Sequence, residues 1–316
     1  MKIFKTLEEL KNTENVAVAV GNFDGVHLGH QELIRRTVTR AKEVGLVPAV
    51  FTFTNHPKNV MAGEQRVKNI LYWEDKVSIL QDLGVEYMIS LDFTLDFSRI
   101  EPEDFVEEIL VNKLKTKEIF CGFNYHFGYK GKGDLQLLKE MSRDLDFVVN
   151  PMEPFKINGE LVSSTLIREI IASGDMEKCR HFLGRNYSTS GTVIVGNKLG
   201  RSLGYPTSNL AIDESMVTPP DGVYVTLASY GGTSCPSITN LGRKPTVGNH
   251  ERSIETHIFN FNKELYGKQI RIEFLKRLRG EKKFESVEEL SDQIRKDCLD
   301  AAHYHGMDIK SGKECM

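Results

Sequence analysis

The chain has 316 residues, 40% of them apolar and 27% charged, which excludes a collagenous, low-complexity or wholly disordered polymer and suffices for about two domains. Acidic residues number 44 against 41 basic ones, for a net charge of -3. That balance lacks the positive field of a nucleic-acid binder, so no nucleic-acid partner is expected and any anionic ligand must be held locally.

From Val16 onward, short apolar runs alternate with helical patterns. Strands are expected at Val16 to Val20, Leu46 to Phe53, Tyr87 to Leu91, Glu118 to Cys121 and Phe147 to Val149. Between them fall helices from about Gln31, near Trp73 to Leu83, over Glu103 to Leu114 behind a helix-starting Pro102, and over Leu135 to Leu145. Such alternation predicts a mainly parallel sheet covered by helices, with ligands bound beyond the carboxyl ends of its strands. A helical stretch from Thr165 to Leu183 follows. The rhythm then changes to short β segments, Tyr187 to Val195, Val223 to Tyr230, Ile254 to Phe261 and Ile270 to Leu275, separated by turn residues and closed by a helix over Val287 to Leu299. This predicts an antiparallel barrel or sandwich. The boundary is placed near Gly184 to Tyr187, giving domains 1–185 and 186–316.

The opening MKIFKTLEEL has no apolar stretch of signal-peptide length, and no later run approaches the ~20 apolar residues of a membrane span. A cytoplasmic location without a membrane partner is therefore expected; the oligomeric state stays open. Cys121, Cys179, Cys235, Cys298 and Cys315 are scattered and contain no CxxC, the pattern of buried or incidental thiols.

Directly after the first predicted strand stands GNFDGVHLGHQ, Gly21 to Gln31. Its glycines permit a tight turn and close backbone approach, and His27, Gly29 and His30 form an HxGH unit at a helix start. Free N–H groups, the positive end of the helix dipole and two imidazoles make this a place to bind a triphosphate. A structural glycine turn or a metal pair are the alternatives, the latter without an evident third ligand. Neither GxxxxGK[ST] nor a GxGxxG after the first strand is present. A second phosphate-binding candidate, SSTLIR at Ser163 to Arg168, follows a hairpin-like FKINGELV. Its hydroxyls can cap a helix, and Arg168 can fork onto phosphate oxygens.

Together GNFDGVHLGHQ, GFNYHFGYKGKGD (Gly122 to Asp134), SSTLIR, GRSLGYPTSNL (Gly200 to Leu210) and NLGRKPTV (Asn240 to Val247) resemble, in content and order, the bacterial bifunctional riboflavin kinase/FMN adenylyltransferases, or FAD synthetases. The resemblance implies a Rossmann-like nucleotidyltransferase domain followed by a flavokinase barrel. It also implies two reactions: riboflavin to FMN at the expense of ATP, then FMN to FAD with release of pyrophosphate. By motif, Gly21, Phe23, Asp24, Gly25, His27, His30, Ser163, Ser164, Thr165 and Arg168 would form the ATP site of the first half, with His27 and His30 on the phosphates. Asn124, Asn55 and Pro57 would lie on its flavin side. In the second half Gly200, Thr207 and Asn209 would meet ATP, with Thr207 and Asn209 also holding Mg²⁺.

Adenylyl transfer starts from a phosphate that is already an anionic nucleophile, so positioning and charge stabilisation suffice. A riboflavin hydroxyl instead benefits from a carboxylate that takes its proton. On the resemblance that base is Glu255, in SIETHIFNF. Two departures stand out. Ser208 replaces the alanine of the family's PTAN, tolerable if that side chain points away from ligands, and Asn55 stands where the family commonly has proline, which predicts a looser flavin-side loop. A relative of the class I aminoacyl-tRNA synthetases, which also use HxGH, lacks support in a chain without a KMSKS-like loop. An adenylyltransferase with a chemically passive second domain is disfavoured by PTSN together with Glu255.

Overall fold

In the computed structural model, which describes residues 1–196, 204–243 and 252–307, the chain falls into two units, Met1–Leu166 and Ile167–Met316. The first is built on strands β1 (Lys2–Phe4), β2 (Val16–Val20), β3 (Val47–Phe53), β4 (Tyr87–Leu91), β5 (Thr116–Gly122) and β6 (Val148–Met152). They form one sheet in the order β1-β4-β3-β2-β5-β6, with every neighbouring pair parallel. The helices are α1 (Leu28–Val44), α2 (Pro57–Ala62), α3 (Trp73–Asp82), α4 (Pro102–Asp104), which runs on as a wide π-type helix over Phe105–Lys113, and α5 (Leu135–Met141). The expected parallel sheet with helical cover is what forms. β1 is an addition to the expected strands: its three residues carry no measurable period.

The alternation in VAVAV decides how the layers pack. Val16, Val18 and Val20 face one core with Phe105, Val106, Ile109 and Leu110, whereas Ala17 and Ala19 face the other with Leu33, Ile34, Val38 and Ala41 of α1. Two methyl side chains let α1 lie close to the central strand, so its first turn is fixed at the strand's carboxyl end. Each large apolar side chain removed from water there contributes about 1.5–3 kcal/mol.

A hairpin of β7 (Lys156–Ile157) and β8 (Glu160–Leu161) turns at Asn158 and Gly159, φ 51° and 83°, the double left-handed turn that Asn-Gly favours. Helix α6 (Ser164–Ser173) follows, then α7 (Met176–Leu183). The sequence reads as one helical stretch here, but Gly174 at φ 84° ends the first helix and the Asp175 carboxylate caps the second, accepting from Lys178 N–H at 2.9 Å.

The second unit holds strands β9 (Tyr187–Ile194), β10 (Ser208–Ala211), β11 (Gly222–Tyr230), β12 (Thr233–Arg243), β13 (Arg252–Ile258) and β14 (Gln269–Gly280), closed into a barrel in the order β10-β13-β12-β11-β14-β9. Of the two architectures expected, barrel and sandwich, the barrel forms. β10 and β12 fall outside the strands that the sequence predicts: SNLA is too short to show a period, and TSCPSITNLGR is polar and broken by Pro236 and Gly242. Helix α8 (Val287–Tyr304) lies on the outside, its Cys298, Ala301 and Ala302 packed on Tyr205, Val223, Val225, Ile238 and Phe259. The opposite strand faces carry Tyr224, Leu241, Ile254, Ile272 and Phe274 inside. Also inside is a hydroxyl chain, Ser237 to Thr226 at 2.8 Å, Thr226 to Thr239 at 2.8 Å and Thr239 to Thr256 at 2.9 Å, which satisfies polar groups cut off from water.

Candidate active sites

Because the first sheet is parallel, the loops after β2, β3, β4 and β5 leave it at one edge. The strand order turns between β2 and β5, where such sheets bind ligands. The loop after β2 is Gly21 to His27. Its backbone takes left-handed angles at Phe23 (φ 48°), Gly25 (φ 80°) and Val26 (φ 36°); for the bulky Phe23 and the branched Val26 this is strain that the surroundings must hold. They do so through buried and part-buried hydrogen bonds. Ile70 N–H donates to Asp24 Oδ1 at 3.0 Å, the Ser164 hydroxyl donates to the Asp24 carbonyl at 2.9 Å, and the Asn22 carbonyl accepts from Thr52 Oγ1 at 3.0 Å and Lys76 Nζ at 3.1 Å. Lys76 is buried, and desolvation lowers its pKa despite the opposing pull of Asp24.

His27 caps α1: its Nδ1 accepts from His30 N–H at 3.2 Å. In the neutral ring this places the hydrogen on Nε2, a donor at the positive end of the helix. The His27 and His30 rings stack with centroids 3.6 Å apart and planes 16° apart, and Phe23 meets His30 edge-on at 5.2 Å. A Cβ at Gly29 would come within 3.3 Å of His27 Nδ1, and one at Gly21 within 3.3 Å of the Phe23 ring, so both glycines make room for the stack.

Ser163 Oγ accepts from Leu166 N–H at 3.2 Å, the cap expected of SSTLIR, and Thr165 and Arg168 lie on the first turns of α6. Pro57 is the first residue of α2. Asn55, expected to loosen its loop, instead clamps it: its amide donates to the Phe93 carbonyl at 3.0 Å and accepts from Phe93 N–H at 2.9 Å. Asn124 is exposed in the loop after β5, and its Oδ1 lies 3.5 Å from where a Cβ on Gly122 would stand.

In the barrel, register brings residues from three strands into one row. Asn209 of β10 stands directly opposite Glu255 of β13, which stands directly opposite Asn240 of β12, so all three share the outer face. Asn209 is 4% exposed and its Oδ1 has no hydrogen-bond partner among the described residues, while its amide nitrogen points back at Thr207, 3.4 Å from the hydroxyl. No described group engages the half-buried Glu255 carboxylate by hydrogen bond or ion pair. Ser208, opposite Thr256, points to the other face, away from this row. Gly200 lies outside the described residues.

Residues 9–166 match the family model for FAD synthetase, and residues 183–305 match that for riboflavin kinase. The chain belongs to the bifunctional riboflavin kinase/FMN adenylyltransferase family. Members from Bacillus subtilis and Haemophilus influenzae are 36% and 34% identical, covering 91% and 90% of this chain and 92% of each relative. A crystal structure described as a macrolide-efflux protein from Streptococcus pneumoniae superposes with a TM-score of 0.84 at 32% identity, over 94% of this chain and 96% of that one. Among the described residues, no helix here is long and apolar enough to cross a membrane.

In this riboflavin kinase/FMN adenylyltransferase, three residues that shape the two sites lie outside the sequence-based expectations. Lys76 gave no local signal, being a helix lysine like any other. Asn240 opens the motif NLGRKPTV, whose spacing alone gives no sign that it faces Glu255. Gly196 is the third: a Cβ there would fall 2.4 Å from Asn209 Nδ2, so only glycine leaves the amide its place. A glycine just past a predicted strand was the available clue.

Proposed function

We propose that this chain makes FAD from riboflavin in two steps at two separate sites. In the barrel, the riboflavin hydroxyl oxygen bonds to the γ-phosphorus of ATP as its proton passes to the Glu255 carboxylate and ADP leaves, giving FMN. In the parallel-sheet unit an FMN phosphate oxygen bonds to the α-phosphorus of a second ATP and pyrophosphate leaves. There His27, His30 and the amino end of α1 stabilise the charge gathering on the phosphates, while Ser163, Ser164, Thr165 and Arg168 meet the triphosphate and Asn124 the flavin side. Asn55 and Pro57 shape the loop on that side. The observation that carries the reading is the facing pair Asn209 and Glu255, an amide oxygen and a carboxylate that no other described group engages.

Mg²⁺ fits the barrel site. Asn209 Oδ1 and the Thr207 hydroxyl are hard oxygen donors, and no described cluster of three His, Cys, Asp or Glu offers an all-protein cage. A small cation that keeps waters and shares phosphate oxygens suits so sparse a donor set, and it supplies charge neutralisation for the transferring phosphoryl group. The substrates are small molecules, riboflavin, FMN and ATP, and the site of action is the cytoplasm.

The test is incubation with riboflavin, ATP and Mg²⁺, followed by chromatography of the flavins: FMN should appear first and FAD after it. Absence of both products would refute the assignment. For the division of labour we propose domains 1–185 and 186–316. Fragments cut there and at 166/167 should be compared, because α7 packs on β9 and β14 and its inclusion should favour a folded kinase fragment.

A further inference from the structure

The Thr207–Asn209 segment has an anchoring problem. Pairing of β10 with β13 begins only at Ser208 with Thr256, so Pro206 and Thr207 precede the ladder, and Pro206 has no N–H with which to tether itself. A side chain from β13 supplies the tether. His257 Nδ1 lies 2.9 Å from the Pro206 carbonyl, which can only accept, so the ring nitrogen carries the hydrogen. The ring is 4% exposed and held edge-on by Tyr205 and Phe259, at centroid distances of 5.7 and 5.5 Å. Continuing the register by one step sets Thr207 opposite His257, two residues along the same strand face from Glu255.

We propose that His257 is a positioning residue for the kinase site: by holding the Pro206 carbonyl it fixes Thr207 and Asn209 against the strand that carries Glu255. The inference rests on the reading of Thr207 and Asn209 as the Mg²⁺ and phosphate ligands. It adds that their placement depends on a hydrogen bond from the Nδ1 position of one imidazole. An Asn side chain can put an amide N–H close to that position, and a Gln side chain overshoots it.

The experiment titrates Mg²⁺ into the full chain with ADP and riboflavin present, reading the quenching of riboflavin fluorescence without turnover, for wild type, His257→Asn, His257→Gln and Asn209→Ala. FMN formation is measured in parallel, and FAD formation from supplied FMN is the control. Loss of an outer partner of a metal site typically costs 10- to 100-fold, so His257→Gln should raise the Mg²⁺ midpoint by about 10-fold or more. His257→Asn should stay near wild type, and FAD formation should not change. If Asn209→Ala shifts the midpoint but neither His257 variant does, or if both His257 variants are impaired alike, the positioning role is overturned. An unshifted Asn209→Ala overturns the metal reading itself. Should His257→Gln fail to fold, His257→Ala is read with and without added imidazole: a restored midpoint supports the role, and none overturns it.

Discussion

Asn209 and Glu255 are direct cross-strand partners, one from a four-residue strand behind a described Gly-Tyr-Pro-Thr segment and the other from the middle of β13. Their juxtaposition puts an amide oxygen and a carboxylate on adjoining positions of one barrel face, the groups proposed above as oxygen ligand and proton acceptor. Kinase chemistry needs both within reach of the same phosphoryl transfer.

Glu255→Gln keeps the volume of the side chain but not its ability to take a proton. FMN formation should fall by roughly 10²- to 10⁴-fold, the usual worth of a general base, while FAD formation from supplied FMN is unchanged. Chromatographic turnover of each step on one preparation checks both, and a kinase rate equal to wild type would remove Glu255 from the mechanism.

Gly196→Ala places a methyl group 2.4 Å from Asn209 Nδ2. The amide must rotate or shift, so FMN formation should drop by at least ~10-fold, misplacements of about 1 Å costing as much as 10². Adenylylation should be spared. The same loss in both reactions would point to unfolding instead.

His27 and His30 should separate by their structural work. His30→Ala removes a stacked imidazole but not the cap, so FAD formation from FMN should fall by ~10² while the melting temperature changes little. His27→Ala also removes the acceptor for His30 N–H, adding a stability loss of about 1 kcal/mol. Turnover and thermal melting of the two variants give the comparison; equal melting temperatures would deny His27 its capping role.

Thiol reactivity follows burial. Burial pushes the Cys121 and Cys179 thiols up to about 12, so almost no thiolate exists at pH 8, and Cys298 is buried as well. Of the four described cysteines, Cys235, half-exposed on β12, should be alkylated first by iodoacetamide, as peptide mass mapping would show. Faster modification of Cys121 would mean that the end of β5 opens.

What the chain declares locally could be read without coordinates. GNFDGVHLGHQ announces itself because a turn, a helix cap and two imidazoles lie within a few residues, and the VAVAV strand and the helix behind it fix where that turn emerges. The parallel sheet, the change to β-rich rhythm and the order of motifs are likewise properties of spacing along the chain. The rest depends on contacts between distant residues. Register alone sets Glu255 between Asn209 and Asn240, and a slip of one residue would have turned it to the other face. Burial of Lys76 beneath Asn22, the room that Gly196 leaves for Asn209 and the two-point clamp of Asn55 on Phe93 are decided the same way. A side chain's type fixes which bonds it can make; only the packed fold, by excluding water and setting neighbours at fixed distances, decides which it does make.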